Sequence, residues 1–205
     1  MTPISHQIQL LRRPTGLPVQ SDFILKEVPL PALQEGEVQV ANQWLSVDPY
    51  MRGRMSEAKS YVPPFPLNGS LDGGAIGTVQ ASRHPDFKVG DQVSSMLGWR
   101  DAFVAKGEQL TRLPATALPS QLFLGALGMP GMTAWAGLHK VARLQAGETL
   151  LVSAASGAVG TMAVQLAKRA GARVIGSTGS ADKVAYLETL GADAVINYRE
   201  TPDLD

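Results

Sequence analysis

Along the first 120 residues, apolar side chains come in short runs that alternate with polar ones and stop at glycine or proline. His6–Leu11, Val38–Leu45, Ala75–Ala81, Gln92–Met96 and Ala102–Ala105 each have the length and composition of a strand. Turn-forming clusters separate them, such as PPFPLNGSLDGG at 63–74 and KVGDQV at 88–93. With no long helical period among them, residues 1–120 are expected to form a small β barrel or sandwich-like domain.

Beyond residue 121 the period lengthens. Met132–Ala142 repeats at helical spacing, and Thr149–Ala155 is a short buried-strand run. Val159, Met162, Ala163, Leu166, Ala167 and Ala170 then make one apolar face of a helix, which Gly171 stops from the C′ position. Arg173–Gly176 is a second strand, Ala181–Leu190 a second helix closed by Gly191, and Ala194–Tyr198 a third strand. Strand–helix–strand–helix–strand predicts a parallel sheet with right-handed crossovers. The fold class is α/β with a β-rich N-terminal region, divided into domains at 1–120 and 121–205.

Composition narrows the function classes. Apolar residues are 44% and charged residues 18% of the 205, which suits a packed core and excludes a disordered chain. The 18 basic and 18 acidic residues balance locally too, eleven of each in 1–125 and seven of each in 126–205. That balance argues against nucleic acid and against a membrane surface as partners. Zero cysteines exclude disulfides, thiolate catalysis and Cys-ligated zinc. The N-terminus does not read as a signal peptide, and Leu122–Ala136 is too short and too glycine-rich to span a bilayer. A soluble, cytoplasmic protein is expected.

The candidate chemistry begins between the strand at 149–155 and the helix after it. Ala155-Ser156-Gly157-Ala158-Val159-Gly160 is an A-x-G-x-x-G variant of the dinucleotide fingerprint. Gly157 lets backbone approach a pyrophosphate, Gly160 lets the helix pack closely on the strand, and the helix N-terminus offers free N–H groups. The same residues could form a tight strand-to-helix turn with no ligand, but their place at the head of a βαβαβ run favours a cofactor site. A protein that selects NAD carries an acid at the end of the second strand. Here Gly176-Ser177-Thr178-Gly179-Ser180 has none, and Lys183 follows. A lysine in the first turn of a helix opposes the helix dipole, so a solvated role suits it poorly and a 2′-phosphate partner suits it better. NADPH is the expected cofactor.

The residues for metal chemistry are missing. His6, His84 and His139 are far apart, without ligand spacing, and each reads as a surface or cap residue. Hydride transfer without a Lewis acid fits a C=C bond conjugated to a carbonyl, whose enolate needs only a hydrogen-bond donor and a proton. Tyr50, in VDPYMRG, and Tyr61, before Pro63-Pro64, are the donors to consider. On residues alone, each is more simply a half-buried aromatic whose hydroxyl reaches water.

Four ordered motifs, VDPYMRGRM (47–55), GMPGMTAWAGL (128–138), AASGAVG (154–160) and GSADKVAYLETLGAD (179–193), resemble the zinc-free branch of the medium-chain dehydrogenase/reductases. Within it, the similarity is to NADPH-dependent double-bond reductases of the curcumin, prostaglandin and 2-alkenal type. The resemblance covers nearly the whole chain. It implies a GroES-like catalytic domain followed by the first half of a Rossmann (parallel doubly wound) domain. It further implies that Met129 and Thr133 lie near the nicotinamide, that Gly157, Ala158 and Val159 line the pyrophosphate turn, and that Lys183 and Tyr198 reach the 2′-phosphate and its ribose. Tyr61 becomes the enolate donor, with Tyr50 shaping the pocket. The implied substrate is a small-molecule enone or enal, and a homodimer is the expected assembly.

Such relatives continue past the third strand, so the chain is expected to be C-terminally truncated, with an open strand edge on the 149–155 run. A non-catalytic NADP-binding or interaction protein, and a quinone reductase on the same scaffold, stand as alternatives.

Overall fold

The computed structural model describes residues 3–60 and 62–200. The chain divides into two compact units, one ending at Leu124 and the next beginning at Gly125.

In the first unit, β1 (Ile4–Leu10) and β2 (Phe23–Pro29) form an antiparallel hairpin. A second antiparallel sheet contains β3 (Glu37–Leu45), β4 (Ala75–Ser82), β5 (Gln92–Ser95), β6 (Ala102–Lys106) and β7 (Thr111–Arg112), in the order β6-β3-β4-β5-β7. One short helix, α1 (Tyr50–Arg54), follows β3. The alternation along β3 to β6 is what buries the core: Val38, Val40, Val79, Val93 and Phe103 point inward together. Each such side chain contributes about 1.5–3 kcal/mol by leaving water.

The strand β2 was not legible as a strand, because none of its side chains is buried, with Leu25 63% exposed. It exists through its backbone register with β1. The hairpin is fastened to the larger sheet by Ile8 N–H to Trp99 O at 2.9 Å and by Asp101, whose carboxylate meets the His6 ring at 2.6 Å and the His6 N–H at 2.8 Å. A 3₁₀ turn at Ser120–Leu124 packs on β4, which carries the first unit a few residues past the change in period.

The second unit opens with α2 (Met129–Ala136), which starts three residues before the expected Met132. Pro130 explains the earlier start, since its fixed φ and missing N–H suit a first helical turn. The expected continuation to Ala142 is instead a π-helical turn, Gly137–Ala142, closed by Arg143 in the left-handed region at φ +52°. Then follow β8 (Thr149–Val152), α3 (Ala158–Arg169), β9 (Arg173–Thr178), α4 (Ala181–Thr189) and β10 (Ala194–Asn197). The three strands are parallel in the order β10-β9-β8. Gly171 ends α3 at φ +82°, with its N–H on Lys168 O.

Of the expected stripe on α3, Ala163, Leu166 and Ala167 do meet the core, joined there by Gly160 and Val164, which the stripe left out. Val159 is instead 40% exposed at the head of the helix. Met162 and Leu166 serve a second contact: with Leu127, Met132 and Trp135 they line an apolar groove of about 270 Å³ beside α2. A helix touched from two sides has two apolar faces, and a single-stripe count blends them.

Asp193 ties this layer together. Its carboxylate accepts hydrogen bonds from Lys168 Nζ on α3 at 2.8 Å and from Val174 N–H on β9 at 2.6 Å. The lysine bond first, then the backbone bond, hold its carboxyl below the usual range. Stability from a depressed carboxylate is present above the unfolded value and lost as pH falls through the folded one. Asp193→Asn is therefore expected to lower the melting temperature at neutral pH, with the gap to wild type closing in strong acid. Thermal melts across pH check this; a gap that does not depend on pH would contradict it.

Candidate functional site

Because β8, β9 and β10 are parallel, their C-terminal ends lie along one edge, with Val152 level with Gly176 and Thr178 level with Asn197. The turn 155–160, residues 177–180 and Tyr198 all follow those ends. In open parallel sheets this edge is where ligands bind.

The turn is built by close packing. Gly160 is buried, and a Cβ there would stand 2.5 Å from Ala154 O and 2.7 Å from Ala155 Cα, both immovable backbone. A Cβ on Gly157 would meet only Ala154 O, at 3.2 Å. The two glycines thus do different things. Gly160 brings α3 onto β8, while Gly157, the N-cap residue at φ −79°, leaves open space above the first helical turn. Ala154, just before, sits at φ +46°, which is strained for a residue with a side chain. Residues 149–181 contain no Asp or Glu, so nothing acidic opposes an anion at this end of α3.

Sequence reasoning had no signal for two further contacts. Ser156 Oγ lies 3.0 Å from Thr178 Oγ1, joining the turn to the end of β9. The Tyr198 ring covers Gly179, where a Cβ would come within 2.4 Å of the phenol oxygen. Lys183 is exposed in the first turn of α4, directly after these residues. Met129 and Thr133 are exposed one turn apart on α2. The turn residues, Lys183 and Tyr198 therefore share the C-terminal edge of one sheet. This cradle of small residues, with no acid in the turn 155–160 or in 176–180, fits a dinucleotide phosphate.

In the first unit, Tyr50 opens α1 and packs beside Leu10, Met51, Met55, Phe65 and Leu71. Its hydroxyl is shielded from solvent, so the simpler expectation of a hydroxyl in water does not hold for it. Tyr61 lies outside the described residues. Arg54 makes two hydrogen bonds to the described residues that follow it. Arg54 Nε donates to Pro63 O at 3.0 Å, and its backbone O accepts from Phe65 N–H at 2.7 Å. The guanidinium stacks 4.0 Å above the Phe65 ring and faces Asp72 at 3.6 Å. Among the described residues, no three of His, Cys, Asp and Glu converge to hold a metal, and no helix is long and apolar enough to cross a membrane.

Known proteins resemble both units of the chain. Residues 6–113 match a family described as "N-terminal domain of oxidoreductase", and residues 158–205 one described as "Zinc-binding dehydrogenase". The NADPH-dependent curcumin reductase of Escherichia coli (strain K12) is 41% identical over 190 residues, 92% of this chain and 55% of that protein. The 2-alkenal reductase (NADP(+)-dependent) of Nicotiana tabacum is 41% identical over 204 residues, 97% and 60% respectively. The crystal structure of CurA in complex with NADPH from Vibrio vulnificus aligns with a TM-score of 0.89 at 40% identity, over 95% of this chain and 58% of that one. The chain thus spans between half and two thirds of the length of the proteins it matches.

Two substitutions separate the roles of the glycines. Gly160→Ala is expected to cost on the order of 3 kcal/mol, since backbone cannot yield to it. Gly157→Ala should stay within about 1 kcal/mol of wild type. Chemical denaturation checks both, and equal costs would contradict the packing account. Arg54→Met is expected to speed tryptic cleavage after Lys59, read by mass spectrometry against wild type; an unchanged cleavage rate would remove the brace.

Proposed function

Because this chain belongs to the medium-chain dehydrogenase/reductase family of oxidoreductases, we propose that it serves the NADPH-dependent reduction of C=C bonds in α,β-unsaturated ketones and aldehydes. The observation that carries the proposal is the turn 155–160 at the sheet edge, open at Gly157 and followed by the acid-free stretch 176–180. Bound there, a reduced dinucleotide supplies the hydride for the β-carbon of the substrate.

The chain's own residues account for the rest. The first N–H groups of α3 and the positive end of its dipole attract the pyrophosphate, with Gly157, Ala158 and Val159 lining its place and Gly160 seating the helix close behind them. Ser177, Ser180 and Lys183 favour a 2′-phosphate over a bare 2′-hydroxyl, since hydroxyls and a cation replace the acid that would repel it. Tyr198 stands by the same ribose. Met129 and Thr133 border the nicotinamide. Tyr61 donates the proton to the enolate as the hydride arrives, and Tyr50, anchored in the α1 cluster, shapes the wall of the pocket. No Cys is available to ligate zinc, and none is needed for an enolate that a hydrogen bond stabilises. A homodimer is the assembly that goes with this reading.

The purified chain is expected to bind NADPH more tightly than NADH and to consume it when given a simple enone. Tyr61→Phe should lower turnover by about 100-fold while NADPH affinity stays unchanged. Binding with no enone turnover would mark an NADP-binding protein. Turnover with quinones alone would mark a quinone reductase.

A further inference from the structure

Either hydroxyl of the Ser156–Thr178 pair can donate to the other, and burial decides between the two senses. Thr178 is 2% exposed, and its Oγ1 has one hydrogen-bond partner among the described residues, Ser156 Oγ at 3.0 Å. A buried hydroxyl hydrogen without an acceptor is costly, so Thr178 donates and Ser156 accepts. Ser156 is only partly buried, and its own hydrogen has no acceptor among the described residues. That hydrogen belongs to the residue immediately before Gly157, which is exposed at the head of α3. Accepting a bond polarises the Ser156 O–H and makes it a better donor in turn.

We propose that Ser156 donates a hydrogen bond to a phosphate oxygen of the bound dinucleotide, with Thr178 as its positioning residue. The proposal rests on the dinucleotide reading of this edge. Its chemistry is specific: a hydroxyl whose acceptor side is already filled by Thr178 turns its donor side outward, and an anion is the partner that uses it best. The absence of any Asp or Glu from 149 to 181 leaves no competing acceptor carboxylate in the turn itself. Two further bonds keep Thr178 in place, since Ala155 N–H reaches Ser177 O at 3.0 Å and Tyr198 N–H reaches Thr178 O at 3.1 Å. The hydroxyl pair is thus a fixed bridge between the phosphate turn and the Tyr198 end of the site.

Fluorescence titration of the purified chain with NADPH, and separately with NADH, tests this without any need for turnover. Ser156→Ala is expected to weaken binding about tenfold. Thr178→Val should lose a similar factor, the double variant should lose no more than either alone, and Thr178→Ser should restore affinity. A loss shared by both nucleotides places the contact on the pyrophosphate; a loss confined to NADPH places it on the 2′-phosphate. Wild-type affinity in Ser156→Ala, or fully multiplicative losses in the double variant, would overturn the proposal while leaving the dinucleotide reading intact. A wild-type chain that binds neither nucleotide would overturn both. If Thr178→Val fails to fold in a thermal melt, Ser156→Ala and Thr178→Ser still decide the matter.

Discussion

The second unit depends on the contact between α3 and the end of β8 at Gly160. No atom can be added there, because the backbone of Ala154 and Ala155 already lies within 3 Å of where a Cβ would sit. This fixes where α3 begins and how tightly the chain must turn to enter it. Ala154 adopts a left-handed φ to make the turn, and Ala155 is driven inward until its methyl meets Gly176 on β9. With the turn pressed toward β9, Ser156 comes within reach of Thr178. One steric constraint therefore sets the helix start, the backbone strain and the polar bridge together.

The same crowding explains the run of small residues at this edge. Gly157, Gly176 and Gly179 each stand where a side chain would press on backbone, on the Ala155 methyl or on the Tyr198 ring. The turn itself offers backbone N–H and a hydroxyl with no carboxylate, and Lys183 follows at the head of α4. Surfaces of that kind favour anions through the helix dipole and through donors that face outward. Packing and electrostatics thus follow from one choice of residues. The first unit answers a different need, with Val38, Val40, Val79, Val93 and Phe103 packing one core and Arg54 bonded to Pro63 and Phe65.

Much of this was legible in the sequence, and the failures have physical reasons. β3 through β6 were visible because alternate side chains are buried, and the βαβαβ run because its periods change sharply. β2 was missed because its register with β1, not burial, makes it a strand. The stripe on α3 was right at Ala163, Leu166 and Ala167 but missed Gly160 and Val164, because the helix packs on both the sheet and α2 and Met162 serves the groove. At the site, Gly157 and Gly160 announced themselves by spacing. The Ser156–Thr178 bridge did not, since it joins residues 22 apart whose meeting depends on the parallel register of β8 and β9. Tyr50 could be placed but not characterised from sequence, because its shielding comes from α1 packing against residues far along the chain.

The central claim is that the edge formed by the turn 155–160, Thr178–Gly179 and Tyr198 holds a dinucleotide. Amide NMR of the isotope-labelled chain during addition of NADPH tests it most directly. The account predicts saturable shifts concentrated at Gly157–Gly160, Thr178, Gly179 and Tyr198, with the strands of the first unit's sheet unmoved. Saturable shifts confined to other surfaces, or none at these positions, would contradict it.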